Sequence, residues 1–296
     1  MSEPLTPLIY NPSASGGRGL KIAMRAVGLL AARGFDVALE PTSGPGGASP
    51  LAERLARGGA RRVLVVGGDG TLSEVADGVL RSGASVELGF IPGGTGNDFL
   101  LGLGVRDTED AVERIASGSL RALDAGRVRW AQGERFFIGV FGIGFMAKCA
   151  DLANRRFKRF GAKGYTLAVF PELAHLRAPM TRLVMDDRVV EEPLVLVAVC
   201  NTRHMGGAME VAPMALPDDG VLEVVALRAV GRVGLLRLFP KIFSGAHVGH
   251  ERVLLGRAKH VRIEPREPSP LLGDGEIYGS TPVDVDVVPQ ALRVLL

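Results

Sequence analysis

Cysteine is nearly absent: Cys149 and Cys200 are the two in 296 residues, each within an apolar stretch. That excludes a disulfide framework and reads as buried thiols of a reducing compartment. No cluster of cysteine and histidine has the spacing of a zinc site. No run of about 18 apolar residues occurs, so no helix is expected to span a membrane. The opening "MSEPLTPLIYN" lacks a basic region followed by a long apolar run, so no secretory signal is expected. Internal repeats, low-complexity tracts and a flexible linker are missing as well, and the G-x-x-x-x-G-K-[ST] pattern of a P-loop is not found.

What is present is an apolar, turn-rich chain: 47% hydrophobic residues, 40 glycines and 18 prolines. Its length suggests two domains. The net charge of +3 suits a protein that meets phosphates or an anionic bilayer without requiring either.

Up to about residue 125, strand and helix patterns alternate. "PLIYN", "FDVALE", "RRVLVVGG" and "VELGFIP" read as strands, and "KIAMRAVGLLAARG", "GASPLAERLARGG" and "TLSEVADGVLRSG" as helices. The nearly continuous apolar run of "RRVLVVGG" is that of a parallel strand buried on both faces. The order predicts a three-layer α/β domain over residues 1–125. After Asp124 β-rich runs dominate, with helical patterns at 145–177 and 232–245, which predicts an antiparallel, β-sandwich-like domain over 126–281 packed against the first around a cleft.

Three polar, glycine-rich loops end strands of the first domain. "VVGGDGTLSE" carries Asp69 between glycines just before a helix, and "IPGGTGNDF" supplies Gly93, Gly94, Gly96, Thr95, Asn97 and Asp98. "YNPSASGGRG" supplies Asn11, Ser13, Ser15 and Gly16. Bare backbone N–H groups at a helix N-terminus favour an anion. A carboxylate among them favours a divalent cation between it and a phosphate. The other reading of such a loop, the less favoured one, is a tight turn with Asp69 and Thr71 capping the helix; three in one domain point to metal-bound polyphosphate.

Together the motifs N-P-x-x-[SG]-G from Asn11, G-G-D-G-T from Gly67, P-x-G-T-x-N-D-F from Pro92 and Asp-Gly-Glu from Asp274 resemble the diacylglycerol kinase-like lipid kinase family, nearly end to end. G-G-D-G-T alone is shared with NAD kinases and phosphofructokinase-like enzymes. The resemblance implies a phosphofructokinase/NAD kinase-like first domain, to which residues from about 282 return, and a lipid-acceptor second domain. It implies ATP contacts at Asn11, Thr42, Gly67, Gly68, Asp69, Gly70, Thr71, Leu72, Ser73, Gly94, Thr95 and Asn97, with Asp69, Asp98 and Asp124 around the nucleotide and Mg²⁺. Asp274 matches the family's general base, and Glu276 helps orient metal or water. A structural Mg²⁺ or Ca²⁺ is implied at Asp219 with the carbonyls of Leu216 and Val221, where the bland alternative is a hairpin-entry turn.

Other stretches weigh less. "NRRFKRFGAKG" interleaves Arg155, Arg156, Lys158, Arg159 and Lys163 with Phe157 and Phe160; it is either a membrane-facing patch or a solvated helix face. It is too short, and too bare of motif, for nucleic acid. "GIGFMA" fits G-x-G-x-x-A but lies outside the α/β region, so dinucleotide binding is not expected there. His204, at a strand end, is placed near the cleft.

The expectation is an ATP- and Mg²⁺-dependent lipid kinase, cytoplasmic and peripheral to the membrane, phosphorylating a lipid hydroxyl such as that of diacylglycerol. The alternatives are an NAD kinase-like or other soluble-acceptor kinase and a catalytically silent nucleotide or lipid sensor. Asp274→Asn is expected to fold normally and lose most turnover. The acceptor and the oligomeric state, a homodimer included, stay open.

Overall fold

The computed structural model of the chain describes residues 5–94, 96–157, 160, 163–207 and 209–296. Contacts divide it into two compact units, one of Met1–Leu123 with Gln290–Leu296 and the other of Asp124–Pro289. No described helix is long and apolar enough to cross a membrane.

The first unit is built on parallel strands β1 (Thr6–Tyr10), β2 (Val37–Pro41), β3 (Arg62–Gly67) and β4 (Glu87–Pro92), in the order β2-β1-β3-β4. Its helices are the short turn α1 (Ala14–Gly17), α2 (Gly19–Ala31), α3 (Ala48–Arg57), α4 (Asp69–Ser82), α5 (Asp98–Gly102) and α6 (Thr108–Ser117). β3 is central, and its residues Val63 to Val66 are fully buried, as its unbroken apolar run requires. α6 is well capped. Asp107 accepts the Asp110 N–H at its start, and Gly118, at φ 70°, ends it in the left-handed region that glycine adopts without strain.

The second unit contains β5 (Leu120–Trp130, whose first residues belong to the first unit), β6 (Gly133–Phe137), β7 (Val140–Gly144), β8 (Met180–Met185), β9 (Arg188–Cys200), β10 (His204–Met205), β11 (Met209–Glu210), β12 (Leu222–Arg228), β13 (Val253–Ala258), β14 (His260–Pro265), β15 (Pro270–Gly273), β16 (Glu276–Ser280) and most of β17 (Val283–Leu295). Helices α7 (Phe145–Leu152), α8 (Lys163–Glu172) and α9 (Arg232–Leu238) interrupt them, with a 3₁₀ turn over Phe239–Ser244. Its strands pair antiparallel at β5–β6, β7–β9, β8–β9, β8–β14, β9–β12, β12–β13, β14–β17, β7–β15 and β15–β16.

The long strand β9 explains the sandwich. Its first half pairs with β8, while its second half pairs with β7 and β12, so one strand serves two sheets. Their inner faces meet in a core that includes Phe137, Phe141, Val197, Val224, Ile263 and Val285. β17 also changes partner. Val283 to Asp286 pair with β14, whereas Arg293 and Val294 run parallel to β4, so the tail rejoins the first unit from Gln290 rather than from 282.

Candidate functional site

In the first unit the glycine loops meet backbone to backbone. The Gly93 N–H donates to the Gly67 carbonyl at 2.8 Å. A Cβ on Gly94 would sit 2.4 Å from the Gly68 Cα, so any side chain there would force the two loops apart. Ser15, from the loop after β1, donates its hydroxyl to the Gly93 carbonyl at 2.8 Å and joins the third strand end to the other two. The Asn11 carboxamide accepts the Ser13 N–H within its own turn.

α4 starts at Asp69, with Gly68 as its N-cap, so Asp69 to Ser73 form its first turn and a half. The Asp69 Oδ1 accepts the Phe99 N–H at 3.0 Å and thereby caps α5 from outside. Asn97, left-handed at φ 56°, closes around the Gly94 peptide: its Oδ1 accepts the Gly94 N–H and its Nδ2 donates to the Gly94 carbonyl. A Cβ on Gly96 would lie 3.2 Å from the Asp69 Oδ2 and 3.8 Å from the Asp98 Oδ2. The glycine therefore leaves room beside two carboxylates, oxygen donors of the kind a hard cation takes. Thr95 lies outside the described residues.

Thr42 is more than nine-tenths buried, and its hydroxyl has no hydrogen-bond partner among the described residues. The neighbouring loop is tied down by a residue the sequence reading passes over. Glu74, on the buried face of α4, accepts the N–H groups of Gly46 at 3.1 Å and Ala48 at 2.8 Å. One helix thus carries Asp69 at its start and fixes the Thr42 loop one turn later. These features fit a nucleotide with its metal: a helix N-terminus behind a glycine turn, two carboxylates beside Gly96 and an orphaned buried hydroxyl.

In the second unit Asp274, left-handed at φ 47°, is held by three backbone donors. Its Oδ2 accepts the Ile138 N–H at 2.8 Å, and its Oδ1 accepts those of Gly139 and Val140 at 2.9 Å each. A Cβ on Gly139 would intrude to 2.7 Å from the Asp274 Oδ1, which is why glycine stands there. Glu276 pairs with Arg135 at 2.7 Å. Asn201, fully buried, donates its amide to the carbonyls of Asp124 and Ile138. It thereby links the Asp124 segment to the segment that holds Asp274. His204 lies on the small hairpin formed by β10 and β11.

Asp124 belongs to this unit by its contacts. Its N–H donates to the Pro217 carbonyl and its Oδ2 accepts the Gly220 N–H, both at 2.7 Å. It therefore braces the acidic turn expected to hold a structural cation. In that turn the Asp219 carboxylate takes the Arg257 guanidinium and the Val221 N–H. Arg257 also reaches Glu223, its cross-strand neighbour, at 2.8 Å. The carboxylate implied as a cation ligand is already neutralised by an arginine, so its donor set does not fit a structural cation well. Among the described residues no group of three or more histidine, cysteine or acidic side chains is placed to hold a metal.

Beside these polar sites the second unit holds an apolar cavity of about 710 Å³, counting its opening to solvent. Phe145, Met146, Leu196, Val225, Leu235 and Phe239 are among its walls. His247 brings a ring, with its Nε2 3.0 Å from the Val211 carbonyl, and burial holds that imidazole below its ordinary pKa. "GIGFMA" is the end of β7 and the start of α7, and its Phe145 and Met146 line this cavity. Cys149 and Cys200 are buried thiols pushed far up in pKa, mainly by desolvation.

Comparison with known proteins covers the chain in two blocks. Residues 6–128 match the diacylglycerol kinase catalytic domain, and residues 139–296 match the YegS C-terminal NAD kinase beta sandwich-like domain. A diacylglycerol kinase of Mycobacterium tuberculosis is 34% identical over 97% of this chain and 93% of its own. A diacylglycerol kinase of Bacillus subtilis is 26% identical over 93% of this chain and 90% of its own. A crystal structure of a diacylglycerol kinase from Bacillus anthracis shares the fold with a TM-score of 0.74 at 23% identity, covering 98% of this chain and 96% of the other.

Proposed function

The chain belongs to the diacylglycerol kinase family, and from that premise we propose that it is an ATP- and Mg²⁺-dependent lipid kinase transferring the γ-phosphate to the hydroxyl of a lipid such as diacylglycerol. The observation that carries the lipid acceptor is the apolar cavity of the second unit, whose walls offer an acyl chain what water does not. The same walls offer little to the phosphates and ribose of NAD, which is the argument against an NAD kinase. A silent sensor is disfavoured by Asp274, since a protein that only binds has no use for a base.

In this reading the first unit holds the nucleotide. The N–H groups of Gly68 to Thr71 would bind the phosphates, Asp69 and Asp98 would hold the metal, and Thr42 would offer its buried hydroxyl. Mg²⁺, when bound, neutralises charge that develops on the transferring phosphoryl oxygens. The second unit orients the acceptor, and Asp274 takes the proton of its hydroxyl. Three N–H donors fix the carboxylate in one orientation, which is the positioning a loose phosphoryl transfer needs most.

The test is purified protein with labelled ATP and Mg²⁺ against diacylglycerol, monoacylglycerol, sphingoid base, ceramide, phosphatidylglycerol and NAD. Labelled lipid is expected. Labelled NAD alone would establish the soluble-acceptor kinase, and nucleotide binding without any product would establish the sensor.

A further inference from the structure

Two segments of the second unit run without aspartate or glutamate between flanking acidic residues: residues 152–171, between Asp151 and Glu172, carry Arg155, Arg156, Lys158, Arg159 and Lys163, and residues 224–250, the end of β12 with α9 and the turns after it, carry Arg228, Arg232, Arg237 and Lys241. Arg155 is paired with Asp151 at 2.9 Å and Arg228 with Glu192. Lys158 and Arg159 lie outside the described residues, as does the side chain of Lys163. The two segments pack together. Val169 of α8 shares a cluster with Leu235 and Leu238 of α9, and Arg232 donates to the Ala174 carbonyl at 2.8 Å.

Their inner faces wall the apolar cavity, through Tyr165 and Val169 on α8, Leu235 and Leu238 on α9, and Phe239 and Ile242 beyond it. Their outer faces are apolar too. Phe170 is 59% exposed and Val233 61%, and Leu167, Leu236 and Phe243 stand exposed beside them. A helix apolar on all sides belongs in a core or against lipid, not in water. Across α8, α9 and the turn after it the cations Lys163, Arg232, Arg237 and Lys241 outweigh the one carboxylate, Glu172, so this face is complementary to anionic headgroups, while the exposed side chains can enter the acyl boundary.

We infer that the outer face of α8, α9 and the following turn docks on an anionic bilayer, so that the elements roofing the apolar cavity are those in contact with lipid. Docking is read without turnover, so a failed lipid panel would leave it standing and a failed docking test would leave the kinase reading standing.

The experiment is co-sedimentation of the full chain with phosphatidylcholine vesicles with and without phosphatidylglycerol. The protein is expected to pellet with the anionic vesicles and to be released by salt. The double variant Val233→Asp/Leu236→Asp, whose side chains point away from the cavity lining, should lower the bound fraction roughly tenfold or more. The pair Arg237→Gln/Lys241→Gln, which keeps the apolar side chains, should abolish the preference for anionic vesicles. Both variants should retain the unfolding temperature of the parent and its turnover on short-chain diacylglycerol dispersed in detergent. Vesicle binding unchanged by either variant, or a parent that never pellets, would overturn the inference. So would a change of oligomeric state in the Asp variant without a change in vesicle binding, because the face would then be an interface between copies of the chain.

Discussion

Asp69 on α4 accepts the backbone N–H of Phe99 at 3.0 Å, so the carboxylate of the first glycine-flanked aspartate caps α5, the helix that follows the loop after β4. Its two oxygens have separate tasks. Oδ1 is structural, while Oδ2 turns toward Gly96 and the Asp98 carboxylate. Asp69→Asn keeps an oxygen for the cap and removes the charge. It should retain the parent unfolding temperature and lose about 10²-fold or more in turnover. Asp69→Ala should lose the same turnover and in addition about 1 kcal/mol of stability, the cost of a missing cap. Equal unfolding temperatures for the two variants would show that the cap contributes nothing.

Glu74→Gln tests the tie between α4 and the Thr42 loop. Glu74 is 94% buried by exposure and serves two N–H donors, and a glutamine would turn an N–H₂ group toward one of them. A donor left unsatisfied costs about 1–3 kcal/mol. The functional signature is a split: KM for ATP should rise several-fold while kcat on saturating ATP is nearly kept, since the loop positions the nucleotide and touches no reacting atom. An unchanged KM beside a lowered unfolding temperature would reduce Glu74 to a packing role.

Asp274→Asn should fail twice over. From sequence the exchange should leave the fold intact and remove the base. The three N–H bonds change that expectation, because the asparagine amide must face either Ile138 or the Gly139–Val140 pair, donor against donor. Besides the loss of most turnover, a stability loss of about 1–3 kcal/mol should appear in denaturant unfolding. A variant that unfolds with the parent and is inactive would restore the simpler picture.

These residues show where a sequence is readable. The strand-end glycines were legible because the demand on them is local: an apolar run must stop, turn and begin a helix within a few residues. The apolar run of β3, fully buried from Val63 to Val66, is equally local. The second task of Asp69 and the bonds to Asp274 depend on backbone groups 30 and 136 residues away, and no periodicity carries that information. The same holds for Asp124, which the resemblance groups with the nucleotide and whose contacts include Pro217, Asn201 and Gly220. α6 is a different case. Its signals are in the sequence: an Asp107 cap, acidic Glu109 and Asp110, and Gly118 at the end.

Arg257 gives a prediction with a sign in pH. Glu223 is nine-tenths buried, and its pKa is raised from the ordinary 4.5, mainly by desolvation; Arg257 pulls it back and Asp219 pushes it further up. A carboxyl whose folded pKa lies above its unfolded one binds more protons in the folded state. Its contribution is therefore fully present below about pH 4.5 and is lost as pH rises through the folded value. Replacing Arg257 by glutamine removes the lowering influence and leaves two carboxylates without their cation. The gap in unfolding temperature between parent and Arg257→Gln should thus be small at acid pH and widen toward neutrality. If the guanidinium is the cation of this turn, EDTA without nucleotide should leave the parent's unfolding temperature unchanged, and added Mg²⁺ or Ca²⁺ should restore part of the loss in the glutamine variant. A parent that EDTA destabilises, with that effect abolished by Asp219→Asn, would place a metal ion at the turn after all and make Arg257 its neighbour rather than its replacement.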